Sequence, residues 1–289
     1  MTSKRENSFN VQSIERALLL LETLSQHPSG CSIKFLAELT QLNKSTIHRI
    51  LHTLLNYGYV RQNPKNGYYH LGLKLLAMSN HLLEEFDIVS IAKPQLKRAC
   101  DETGLVTQLS IRDKNNAVFL DKVEHTDQNV RMYSRVGKSI PLYCSSSGKV
   151  LLAWEEPEEI SRTVSSLEYQ SFTPFTITNA ACFTKEIIDI QNKGYATDFF
   201  EHENSVCCVA SPIIDSLGKV VAAVCFAGTF LQISSSRLSD YIKKIHDTAQ
   251  QISYLIGCSF YPAKLDSEKI AADTVLYNER VQAIIQQFQ

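Results

Sequence analysis

The stretch Asn43-Lys44-Ser45-Thr46-Ile47-His48-Arg49-Ile50-Leu51 decides how the N-terminal part of this chain is read. Ile47, Ile50, Leu51, Leu54 and Leu55 recur at helical spacing and are expected to face a core. Ser45, His48, Arg49, His52 and Asn56 fall on the opposite face. Asn43 is expected to cap the helix, its side-chain oxygen accepting from an amide of the first turn. Short hydroxyls with Arg and His near a helix N-terminus suit phosphate and base-edge contacts. A solvated surface helix has the same periodicity, so the flanking segments must decide between the two readings.

Upstream, Ile14, Ala17, Leu18, Leu21 and Leu24 form an apolar stripe that should stop before His27-Pro28-Ser29-Gly30. Ser32 is expected to cap a short helix, Ile33 to Thr40, that buries Phe35, Leu36 and Leu39. The connection through Gln41-Leu42 is short enough for a helix-turn-helix, whose second helix enters the major groove. Downstream, Tyr59–Gln62 and Tyr68–Leu71 flank Asn63-Pro64-Lys65-Asn66-Gly67 and predict a hairpin carrying Arg61 and Lys65. Three helices and a hairpin make a winged helix-turn-helix. Charge agrees: nine basic and four acidic side chains put residues 1–80 at +5, whereas the whole chain is at −1. A basic module is thus joined to an acidic one, the local asymmetry that attracts phosphate.

Several motifs together resemble the IclR family of bacterial transcription regulators. In the first part they are Ser13-Ile14-Glu15-Arg16-Ala17-Leu18, Lys44 to Leu51, Gly58-Tyr59-Val60 and Gly67-Tyr68-Tyr69-His70-Leu71-Gly72. Further on, Gly137-Lys138-Ser139-Ile140-Pro141-Leu142, Ser147 to Ala153, Gly194-Tyr195-Ala196-Thr197-Asp198, Val206 to Ile213 and Gly218 to Ala223 are similar to that family's effector-binding domain. The resemblance runs from about Val11 to about Cys258 in the family's order and spacing.

The expected fold class is α+β. A flexible arm (1–10) precedes a winged helix-turn-helix (11–72), a linker helix (73–87), an effector domain (88–258) and a C-terminal tail (259–289) with no motif, either a terminal helix or partly disordered. In the effector domain, helix signals at Ile88–Glu102, Ser147–Ser165, Cys182–Asn192 and Arg237–Ile256 alternate with β-rich runs. The β-rich runs are Leu105–Ile111, Ala117–Val123, Val130–Ser134, Tyr195–Phe199, Val206–Ile213 and Val220–Ala227. That order fits a central antiparallel sheet with helices outside, and the resemblance sharpens it to a GAF/PAS-like sensor. It also implies that the linker helix packs against its mate in a dimer. No apolar run is long enough to cross a bilayer and no secretory leader is evident, so a cytosolic protein is expected. Eight cysteines without a C-x-x-C pair read as reduced core residues, and neither a metal nor a cofactor is expected.

A ligand chamber needs an apolar concavity with a few polar groups. Cys144-Ser145-Ser146-Ser147-Gly148-Lys149 opens a helix; an ordinary cap explains its serines fully, and a carboxylate cradle is the alternative reading. It is not a phosphate-binding P-loop, because Tyr143 and Val150 stand where Gly and Ser or Thr are needed. Asp198 reads either as a solvated strand-end acid or as an acceptor for ligand hydroxyls. Period-two alternation puts Val206, Cys208 and Ala210 on one side of a strand, and Ala223, Cys225 and Ala227 on one side of another. Small residues there leave room for a ligand or for a packed helix. The resemblance implies effector contacts from Met132, Ser146, Ser147, Asp198, Cys208 and Cys225. Ala227, where the family often has Ser, and Ser205, where Gly is usual, depart from its pattern. The adjacent Cys207-Cys208 makes a poor redox pair, since strand neighbours point to opposite faces.

The resulting expectation is a homo-oligomer, dimer or tetramer, on a double-stranded, roughly palindromic operator, responsive to a small organic acid such as a sugar acid or keto acid. Ser45, Thr46, His48 and Arg49 are the expected DNA contacts, with Lys44, Arg61 and Lys65 on phosphates. Two rivals stand beside it: a hydrolase using Cys208 or Cys225 with His202 as base, and a sensor whose helical module binds protein.

Overall fold

A computed structural model describes residues 11–78, 87–124 and 134–287. The chain divides into two compact units, Met1–Glu85 and Phe86–Gln289.

The first unit has α1 (Gln12–Ser25), α2 (Ile33–Thr40) and α3 (Lys44–Asn56), then a hairpin of β1 (Val60–Gln62) and β2 (Tyr69–Leu71). The hairpin is antiparallel, with Arg61 opposite His70. Leu20, Leu24, Cys31, Leu36, Ile47, Leu51, Val60 and Tyr69 are its core. The Ser32 hydroxyl caps α2 by accepting from the Phe35 amide at 3.1 Å. Asn43 sits at the N-cap of α3 in extended conformation, but contrary to expectation its side chain makes no capping bond. The three-residue turn Gln41–Asn43 is made by Gln41 at φ +56°. Gln41 anchors that left-handed backbone by donating from its amide to the Glu38 carbonyl at 2.8 Å.

Helical spacing gave the right elements but too wide a buried arc. Ile14 and Leu18 of α1 are 57% and 53% exposed, while the covered row is Leu20, Thr23 and Leu24. Phe35, Leu39 and Leu55 are likewise exposed by more than a third. Each helix of a three-helix unit meets neighbours along a single stripe, so apolar residues at its margins stay in solvent. Gly72 closes the hairpin against the end of α3: a Cβ there would lie 2.0 Å from the Gly58 carbonyl oxygen. Residues 73–78 are helical. The remainder of the expected linker helix lies outside the described residues as far as Asp87.

The second unit contains α4 (Asp87–Thr103), β3 (Val106–Asp113), β4 (Asn116–Val123), β5 (Ser139–Pro141), α5 (Ser146–Ala153), α6 (Pro157–Ser166) and α7 (Ala180–Lys193). It continues with β6 (Ala196–Phe199), β7 (Val206–Ile214), β8 (Val220–Thr229), α8 (Ser235–Leu255) and α9 (Ser267–Gln287). The six strands form one antiparallel sheet in the order β5-β4-β3-β8-β7-β6. Ala117, Phe119, Ala210, Ala223 and Cys225 on one face pack with Val150, Leu152, Phe183 and Ile187 of α5 and α7. Alternate residues such as Val209 and Phe226 point the other way, where α4 and α8 pack on β3 and β7. β5 was not expected; a three-residue edge strand containing Pro is nearly invisible in sequence. Of the expected strand at 130–134, only Ser134 lies within the described residues, and it is not in a strand. Among the described residues no helix is long and apolar enough to cross a membrane.

The core of the first unit yields a stability contrast. Leu51→Ala should destabilise it by about 3 kcal/mol, and Leu55→Ala by less than about 1 kcal/mol. Chemical denaturation followed by circular dichroism measures both; equal losses would contradict this burial phase.

Candidate functional site

In the first unit, the polar side of α3 is open to solvent. Lys44, Ser45, His48 and Arg49 are exposed and Thr46 is half-buried. Ile47 and Leu51 on the other side are fully buried. Arg61 on β1 and Lys65 in the wing turn are exposed too. Asn63 and Asn66 shape that turn by accepting from the amides of Lys65 and Tyr68. The same unit therefore carries all seven residues singled out for DNA contact, each at least partly accessible.

In the second unit, strand register explains how a cleft forms. Asp198 pairs with Cys208, Cys208 with Ala227, and Ala227 with Val106, so one row crosses four strands on the face that carries α5. Its two central side chains are small, and the space above them is a narrow, partly open cleft with an enclosed volume of about 30 Å³. Asp198, Cys208, Ala227 and Val206 line it from the sheet, joined by Gln108, Ser134, Phe119, Ile140, His202 and Glu203. The mix of apolar walls with a few polar groups suits a small ligand.

Of the expected effector residues, the structure brings Asp198 and Cys208 to the wall of the cleft. Ser146, Ser147 and Cys225 are buried in the layer behind. Ser146 Oγ lies 3.4 Å from Cys225 Sγ, and Ser147 and Cys208 also hydrogen-bond that sulfur. Met132 lies outside the described residues. Ser145, not its two neighbours, caps α5: its hydroxyl accepts from the Gly148 amide at 3.1 Å and donates to the Pro141 carbonyl at 3.0 Å. Gly148 permits this close packing, because a Cβ there would stand 2.5 Å from the Leu142 Cα.

The electrostatics centre on Lys149, fully buried one turn into α5. Its ammonium donates to Glu201 Oε1 at 2.8 Å, to the Thr197 carbonyl at 2.9 Å and to Glu186 Oε1 at 3.1 Å. Burial opposes the charge, but Glu186 and Glu201 outweigh it and hold Lys149 above the ordinary lysine value. Asp198 Oδ1 accepts the Glu201 amide at 2.7 Å. Burial, and then the negative charge of Glu201, push the Asp198 carboxyl well above the usual carboxylate range. Asp198 is thus a buried acid whose ionisation is disfavoured, rather than a solvated strand-end carboxylate.

Sequence reasoning missed Gln108, Ser134, Glu201 and the role of Lys149. Gln108 is buried and its amide donates to Ser134 Oγ at 2.7 Å. A Gln in phase with Val106 inside an apolar strand was a usable signal, as was Lys149 within an otherwise apolar helix. Cys207 and Cys208 do point to opposite sides: Cys207 reaches the Tyr277 hydroxyl at 3.8 Å, and Cys208 faces the cleft. His202 and Cys208 share the cleft. However, Cys208 is pushed up by donating to Cys225 and by burial, the opposite of an activated nucleophile.

Comparison with known proteins joins the two units. The family model for the IclR helix-turn-helix domain matches residues 13–64, and that for the bacterial transcriptional regulator IclR C-terminal domain matches residues 80–254. The DNA-binding transcriptional repressor YiaJ of Escherichia coli K12 is 35% identical over 264 residues, which are 89% of this chain and 92% of the relative. The crystal structure of the Thermotoga maritima IclR aligns with a TM-score of 0.69 at 30% identity, over 85% of this chain and 98% of that one. An IclR homologue from Microbacterium hydrocarbonoxydans, solved with 4-hydroxybenzoate, shares the fold at a TM-score of 0.72 and 23% identity, over 84% and 98%. The winged helix-turn-helix, the cleft-bearing antiparallel sheet and these matches over most of its length place the chain in the IclR family of bacterial transcriptional regulators.

Proposed function

We propose that this regulator reads a two-fold related operator with α3 and is tuned by a small organic acid, of the sugar-acid or keto-acid class, held at Asp198. The observation that carries the reading is the division of α3. Its apolar side fills the core, and Lys44, Ser45, His48 and Arg49 stay in solvent, free to meet a duplex. On this reading Ser45, Thr46, His48 and Arg49 face base edges and phosphates in the major groove, and Lys44, Arg61 and Lys65 neutralise the backbone. A homodimer or tetramer supplies the second reading helix. The exposed apolar side chains of Val11, Ile14 and Leu18, and of Leu73, Leu76 and Met78, support such an assembly, since each set lacks cover within its own unit.

For the ligand, the support is chemical. A protonated Asp198 donates to an oxygen, Gln108 and Ser134 add polar contacts, and Phe119, Ile140 and Val206 enclose the carbon skeleton. The amides of Ser146 and Ser147 open α5, where the positive end of the helix favours an anion. That a neighbour of the same fold holds 4-hydroxybenzoate, itself a small carboxylate, is consistent with this chemistry. Binding biases the placement of the two reading heads, so ligand and operator affinities are linked.

Three small carboxylates, gluconate, pyruvate and 4-hydroxybenzoate, test the ligand class in a thermal-shift screen. At a concentration 100 times its Kd, a true ligand stabilises by about 2.7 kcal/mol. No shift from any carboxylate would overturn the ligand class.

Arg49→Ala should weaken binding to a selected operator about 10- to 100-fold at fixed salt while the second unit keeps its thermal midpoint. Undiminished specific affinity in a salt-controlled gel shift would remove Arg49 from the reading face. A second outcome follows from the sign of the Asp198 shift. The neutral acid tolerates a neighbouring anion and the ionised form repels it, so carboxylate affinity should fall as pH rises above the ordinary carboxylate range. Asp198→Asn, which cannot ionise, should flatten that dependence; an unchanged pH profile in this variant would contradict the assignment.

A further inference from the structure

The carbonyl of Phe199 and the carboxylate of Glu201 are both held by a single side chain from α9, outside the segment matched by the family model. Arg280 Nη1 donates to the Phe199 carbonyl at 2.9 Å and lies 3.5 Å from Glu201 Oε1. The matched segment ends at residue 254, and α9 begins at Ser267. We propose that Arg280 is a positioning residue of the effector cleft: through Glu201 it fixes the turn that aims Asp198, making α9 the rear support of the chamber. The proposal rests on the reading that Asp198 faces the ligand.

Further observations favour it. The turn is strained, because Phe200 has φ +66°, a left-handed conformation that a non-glycine residue leaves unless its surroundings hold it. The surroundings come partly from α9: the Tyr277 ring lies 5.1 Å from that of Phe199 and stacks on that of Phe200 at 6.1 Å, and its hydroxyl donates to the Ile233 carbonyl. On the other flank, the Thr173 and Thr176 hydroxyls donate to the carbonyls of Phe200 and Glu201, each at 2.6 Å. The helix itself is fastened by ion pairs independent of the turn, Asp273 to Lys193 at 3.1 Å and Lys269 to Asp189 at 2.6 Å. Arg280 can therefore be altered without releasing α9. The route from α9 to the cleft is short: Arg280 to Glu201, then the Glu201 amide to Asp198 Oδ1. The guanidinium is also covered by the Phe175 ring, 5.2 Å away, which strengthens its hold on the carboxylate by excluding water.

The test uses the full chain with Arg280→Met, which keeps the packing and loses the charge, and Arg280→Lys, which keeps the charge. Backbone hydrogen exchange without ligand should show residues 198–201 exchanging about tenfold faster in the Met variant, with the Lys variant nearer the parent and β7 and β8 unchanged in both. In parallel, any carboxylate from the screen that binds the parent, followed by fluorescence of the single tryptophan Trp154, should bind the Met variant about tenfold more weakly. Unaltered exchange at 198–201, exchange raised uniformly through the unit, or Met and Lys variants that behave alike would each overturn the proposal. Exchange at 198–201 raised as expected, with no carboxylate binding even the parent, would uphold Arg280 as the support of this turn while removing the ligand class.

Discussion

The cleft depends on one buried cation. Lys149 is fully buried, and removing an ammonium from bulk water costs several kcal/mol unless partners replace the hydration. Two carboxylates and a carbonyl, from α7, from β6 and from the turn after β6, supply that replacement within 3.1 Å. The ion cluster thus ties α5 to α7 and to the edge of the sheet. It also sets two neighbouring acids apart. Burial raises both carboxyls, but Glu201 faces Lys149 and Arg280, which favour its charged form, whereas Asp198 lies next to Glu201 and is pushed well above the usual carboxylate range. Losing both carboxylates would leave Lys149 an uncompensated buried charge, at a cost of about 3–5 kcal/mol. The polarity of the cleft is therefore bound up with the stability of the unit.

Much of this architecture was readable from spacing alone. The Ser32 cap, the short turn after Thr40, the hairpin around Pro64 and Gly67, and the strands at 106–113, 206–214 and 220–229 all follow from local preferences that tertiary structure does not override. Parity correctly put Val206, Cys208, Ala210, Ala223, Cys225 and Ala227 on one face, where Val206, Cys208 and Ala227 line the cleft and Ala210, Ala223 and Cys225 pack under the helices. What spacing did not carry was phase and partnership. Ile14 and Leu18 share the periodicity of Leu24 but not its burial, since the arc covered on a helix is set by its neighbours. Lys149 and Glu201 are 52 residues apart, and no local pattern announces that they meet. The same holds for α9, whose Arg280 reaches a turn some 80 residues earlier.

The two units divide the work by chemistry. The first is basic, keeps its polar helix face in solvent and has an apolar core of eight buried side chains. The second puts small residues at the centre of a sheet, where larger ones would fill the cleft, and surrounds the gap with apolar walls and a few polar groups. On the proposed reading, a ligand at Asp198 acts on Glu201 and through it on α5, α7 and α9, which the ion pairs tie together. Such a rigid, ion-paired network has few intermediate arrangements, which makes it suited to a two-state response.

Reciprocity of linkage tests that account most directly. The protein is titrated with a bound small carboxylate, free and then saturated with a duplex selected from random sequence for tight binding; duplex affinity is measured with and without the same carboxylate. The account predicts that the two affinity ratios differ from one and agree with each other. A carboxylate that binds at Asp198 with the same affinity whether or not the duplex is present would contradict it.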